Sequence, residues 1–110
     1  MKTKTNGSTN KLPRVYEQKV KKIISVVLDE FNCESETQMW TAPRTPQNCW
    51  ARWIVWHFMR KLGMNYVMIG GYTGHDHGTV ISGIRKLQID LKQRPHEVLR
   101  EIFKNVSEKL

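Results

Sequence analysis

At 110 residues the chain has the length of one domain, and its 39% hydrophobic and 25% charged residues are the balance of an ordinary globular fold without a second, catalytic domain. Eighteen Lys and Arg against ten Asp and Glu leave a formal net charge of +8, which favours a polyanionic partner such as nucleic acid. The longest apolar run, Trp53 to Trp56, gives way to His57 and Arg60 and is far too short to span a bilayer, which excludes membrane insertion and argues against a membrane partner.

Residues 1 to 12 are polar, basic and aperiodic, and read as a disordered arm ahead of a single helical domain over 13–110. The arm lacks the apolar centre of a secretory signal, and Cys33 and Cys49 show no metal-type pairing. A cytoplasmic, nucleoid-associated protein with both thiols reduced is expected. From Arg14 to Phe31 the apolar residues Tyr16, Val20, Ile23, Ile24, Val27, Leu28 and Phe31 recur at three and four, which predicts a helix with Lys19, Lys21 and Lys22 on its solvated face. Asn32 to Thr45 is a polar connection with room for a short helical turn near Glu36 to Trp40.

Thr45 before Pro46 is the pattern of an N-cap followed by proline in the first helical position, and the next helix runs to Leu62 with Gly63 as its cap. It carries Trp50, Trp53, Ile54, Val55, Trp56, Phe58 and Met59, apolar on more than one face, so it is expected at the centre of the fold. Aromatic and β-branched residues are poor helix formers, so packing has to stabilise it. Asn65 is the predicted N-cap of a short helix ended by Gly70-Gly71. A longer helix follows from near His75 to Leu91, with Val80, Ile84, Leu87 and Leu91 facing inward and His77, Arg85, Gln88 and Lys92 outward. Pro95 opens a last helix with Val98, Leu99, Ile102, Phe103 and Val106 on one face. The fold class is all-α, a bundle of five to six helices.

The short helix, glycine-containing turn and longer helix over about 65–92 form a helix-turn-helix, whose second helix enters the major groove N-terminus first. At its start stand His75, Asp76, His77 and Thr79. Asp accepts from cytosine N4, His donates to guanine O6 or N7, and Thr meets a phosphate or a thymine methyl. Asp76 is the only carboxylate between Glu36 and Asp90, in an interval holding Arg44, Arg52, Arg60, Lys61, Arg85 and Lys86. A lone acid in a basic field suits base reading. Arg44, Arg52, Tyr66, Arg85 and Lys86 are the candidates for phosphate and backbone contacts.

The motif Ile69-Gly70, then Gly74-His75-Asp76-His77-Gly78-Thr79-Val80 and Arg85-Lys86, resembles the C-terminal DNA-binding domain of the bacterial replication initiator DnaA. That family carries Ile-Gly, Gly-Arg-Asp-His-Thr-Thr-Val and Arg-Lys in the same order. The order of helices agrees over about residues 14 to 92. The resemblance implies a helical fold similar to the Trp repressor, base contacts from Asp76 and His77, and Thr79 anchoring the recognition helix. It also implies a basic loop before the long helix that sends an arginine into the minor groove, for which Arg44 and Arg52 are the available residues. His75 replaces the family's arginine, Gly78 replaces its first threonine, and the turn after Ile-Gly is one residue shorter.

No Gly-x-x-x-x-Gly-Lys-Ser/Thr loop occurs, so the initiator's ATPase module is missing and no catalysis or cofactor is expected. The expectation is a monomeric double-stranded DNA-binding module, as a free-standing phage or mobile-element product or as a fragment. The rival is an interaction module that modulates a host replication protein through the same fold. A metal site at His75, Asp76 and His77 lacks further ligands at helical spacing. A base-stacking platform of Trp50, Trp53 and Trp56 competes with their simpler place in the core.

Overall fold

The computed structural model describes residues 13–43, 45–93 and 96–110, with six helices and no strand among them. The basic arm of residues 1 to 12, Arg44 and the Pro95 start signal lie outside the described residues. No helix of the described residues is long and apolar enough to cross a membrane.

Helix α1 (Arg14–Glu30) buries Val20, Ile23, Ile24 and Val27 and leaves Lys19, Lys21 and Lys22 exposed, as its spacing predicts. The turn expected near Glu36 is a short helix, α2 (Glu36–Thr41). The Ser35 hydroxyl accepts the Gln38 N–H at its start, and Met39 is buried. Helix α3 (Pro46–Lys61) begins where Thr45 accepts the Asn48 N–H at 3.3 Å, with Pro46 inside the first turn, where a missing N–H costs nothing. It ends into Gly63, whose φ of +110° is open to glycine and strained for other residues.

Helices α4 (Tyr66–Thr73), α5 (His77–Lys92) and α6 (Glu97–Lys109) complete the bundle. Helix α3 touches α1, α2, α4 and α5, and buries Ala51, Ile54, Val55, Trp56, Phe58 and Met59. Its poor intrinsic propensity is thus overcome by contacts on several sides. His57, at the boundary, packs edge-on against Phe58 and Phe103, and burial, reinforced by Lys61, lowers its pKa.

Helix α6 packs on α1 and α5. It buries Leu99 and Val106 and half-buries Ile102 and Phe103, but Val98 is 68% exposed. Consecutive helical residues point about 100° apart, so Val98 cannot share the face that Leu99 presents to the core. The far end of α6 is tied to α1 through Glu30, which receives hydrogen bonds from Lys109 and from Asn105 at 3.4 Å. The Lys109 hydrogen bond holds the Glu30 carboxyl below its usual range. A carboxyl whose folded pKa is depressed stabilises the fold above its unfolded pKa, and that contribution disappears as pH falls through the folded value. Thermal unfolding against pH should therefore show a small acid-side loss in the native chain that Glu30→Gln removes.

Candidate nucleic-acid interface

The first helix of the motif is longer than its glycines suggest. Asn65 caps it, accepting the Met68 N–H at 2.8 Å, but α4 passes through Gly70-Gly71 to Thr73 and ends on Gly74, which is left-handed at φ 76°. Gly70 is therefore a point of close approach rather than a stop. The His75 N–H donates to the Gly70 carbonyl at 2.9 Å, and a Cβ on Gly70 would sit on the His75 carbonyl oxygen. Gly70→Ala should cost about 2 kcal/mol despite alanine's better propensity, because backbone, not a flexible tip, has to move. Thermal unfolding checks the cost, and an unchanged midpoint would remove this role.

The second helix begins at His77, two residues later than its pattern suggests. Asp76 is its N-cap: the backbone there is extended, and Oδ2 accepts the Gly78 N–H at 3.0 Å. A carboxylate is well placed at the positive end of the helix. The Asp76 and His77 side chains are 73% and 61% exposed, with Oδ1 and Nδ1 3.8 Å apart.

His75 stands apart from this pair. Its Nδ1 is 2.9 Å from the Thr73 carbonyl, and its half-buried ring lies against Trp40 and Trp56, at centroid distances of 5.7 and 5.2 Å. Thr73 is buried, donates to the Ile69 carbonyl and accepts from the Trp56 indole at 3.3 Å. These contacts fasten the turn to α3, so the start of α5 is held by the core.

On α5, Val80, Ile84 and Leu87 are buried and Leu91 half-buried, while His77, Arg85, Gln88 and Lys92 are exposed. Among the described residues neither Arg85 nor Lys86 pairs with a carboxylate. A cavity of about 600 Å³ separates α5 from the connection ahead of α3. Trp53, Trp56 and Cys49 line one side, and Thr79, Ser82 and Lys86 contribute the α5 side. Ser82 lies outside the residues that the motif singles out. Its signal was its place three residues after Thr79 and four before Lys86, the spacing of one helix face.

Arg52 is not at the surface. It is 7% exposed, and its guanidinium donates to the Met39 carbonyl at 2.8 Å and to the Ala42 carbonyl. Its work is to tie the end of α2 to α3. Tyr66, at the start of α4, is half-buried with the Arg60 guanidinium 5.1 Å from its ring centre. Trp53 and Trp56 belong to the core or its edge, and the half-buried Trp50 donates its indole N–H to Asp90 at 3.1 Å, with His96 edge-on beside it. Among the described residues no three His, Cys, Asp or Glu side chains converge as a metal site requires.

Residues 20–87, from the middle of α1 through most of α5, match the family model of the bacterial dnaA protein helix-turn-helix. The chain belongs to this DnaA helix-turn-helix family. The match covers every element that positions Asp76 and His77. A similar protein is the chromosomal replication initiator protein DnaA 1 of Chlamydia pneumoniae, 35% identical over 60 residues. That alignment covers 51% of this chain and 13% of the relative, so the chain spans a small part of that relative's length. As a DnaA-type domain it is a DNA-binding helix-turn-helix with an all-α fold.

Proposed function

We propose that this DnaA-type domain binds double-stranded DNA sequence-specifically and without catalysis, with α5 entering the major groove start first. The observation that carries the reading is the exposed Asp76–His77 pair on a 16-residue helix whose start is fastened to α3. Rigid support matters because base discrimination needs donors and acceptors held in place. Asp76 uses one carboxylate oxygen as the helix cap and offers the other, beside His77, to a base edge. Thr79 flanks them, and His75 supports the turn from behind. Arg85, Lys86 and Tyr66 contact phosphates, which fix register without reading sequence. The domain acts as a monomer at the nucleoid, in replication initiation or its regulation, by analogy with the relative's name.

Asp76→Ala and His77→Ala should each relax discrimination at one base pair by about 1–3 kcal/mol while leaving random-duplex affinity nearly unchanged. Equal losses on specific and random duplex would refute base reading by these residues. Lys86→Ala should weaken all duplexes alike and reduce the slope of log affinity against log salt by about one unit. An unchanged slope removes Lys86 from the phosphate contacts.

A further inference from the structure

Position 78 is the second residue of α5 and lies between the two exposed readers and Thr79, yet it carries no side chain. Two consequences follow from the geometry. A Cβ at Gly78 would stand 2.9 Å from Asp76 Oδ2, the oxygen that caps the Gly78 N–H. A side chain at this position would crowd only the flexible tip of Asp76, so the bare position leaves that carboxylate unhindered beside the helix start. It also removes the first-turn side chain from the outward line of the helix, since residues four apart lie above one another and the next residue on this line is Ser82. Ser82 is exposed, faces the cavity beside α5, and its hydroxyl has no side-chain or backbone partner among the described residues.

We propose that Gly78 and Ser82 together set the base preference of this recognition helix: Gly78 lets the helix lie closer to the groove floor, and Ser82 makes a base contact from the second turn. This rests on the DNA-reading role of α5 proposed above. A serine hydroxyl donates or accepts, so it reads either member of a pair through one hydrogen bond. Helix depth decides whether so short a side chain reaches. A threonine at 78 would hold the helix off and bring a methyl that favours thymine.

The test selects duplexes from a random pool with the 110-residue chain and its Ser82→Ala, Gly78→Thr and double variants, after circular dichroism confirms equal helicity. The native chain should enrich a site in which Ser82→Ala loses preference at one base pair by roughly three- to tenfold. Gly78→Thr should change the preferred base near the helix start, and in that background Ser82→Ala should have no further effect. If the native chain enriches a site and Ser82→Ala enriches the same site with the same base preferences, the inference fails while the DNA-reading role stands. If the native chain enriches nothing, the DNA-reading role fails and this inference with it.

Discussion

Arg52→Ala is expected to lower the stability of the domain by about 3 kcal/mol, because a buried charged donor normally contributes roughly 1.5–3 kcal/mol per hydrogen bond and this one serves two carbonyls. The residue is 7% exposed and joins Met39 and Ala42 at the end of α2 to the first turns of α3. Removing the guanidinium leaves both carbonyl oxygens short of a protein donor. For a domain of this size the loss should appear as a fall in Tm of about 12 °C or more. Arg52→Lys should recover only part of it, since an ammonium on a flexible stem cannot span both acceptors as the planar fork does. The decisive comparison is with DNA affinity below the new midpoint. A variant with native Tm whose affinity for every duplex falls, with a shallower salt dependence, would put Arg52 on a phosphate instead.

Gly83→Ala should destabilise the domain by about 2–3 kcal/mol, although alanine improves helix propensity by about 1 kcal/mol. An added Cβ would lie 2.5 Å from Trp53 Cδ1 and 2.6 Å from Trp56 Cζ3. Trp56 is 1% exposed, and its indole is held by Thr73, so the ring has no free rotamer to give. Helix α5 would have to move away from α3. That displacement carries Asp76 and His77 with it, so specific DNA affinity should fall more than random-duplex affinity even where the variant is folded. Thermal unfolding and binding to both duplexes measure the two effects. A variant as stable as the native chain would mean that α3 and α5 have slack at this contact.

Much of the fold was legible because it depends on local chemistry. The three-and-four spacing in α1 and α5 fixes which faces turn inward, and Thr45-Pro46 and Asn65 mark helix starts because the Thr45 and Asn65 side chains accept first-turn N–H groups and Pro46 has none to satisfy. The limits of α4 were not legible in the same way. Glycine signals a stop in isolation, but Gly70 is required by the returning His75 backbone, a contact five residues away that only the folded turn creates.

The candidate site divides along the same line. His77, Arg85, Gln88 and Lys92 could be read as exposed from the order of polar and apolar residues alone, since a helix with one buried stripe must turn its other face outward. Arg52 and His75 could not be separated by residue type from the other candidates, Arg85 and His77 among them. A cation or an imidazole satisfies a carbonyl in the interior as well as a phosphate or base outside. The choice fell to packing: Arg52 has the α2 carbonyls above it, and His75 has Trp40 and Trp56 beside it. Periodicity and composition thus pointed to an all-α, basic protein, and the motif from Gly74 to Val80 carried its resemblance to the DnaA family. Which of its polar side chains are buried against the helices and which stay exposed was decided by long-range contacts that no local pattern encodes.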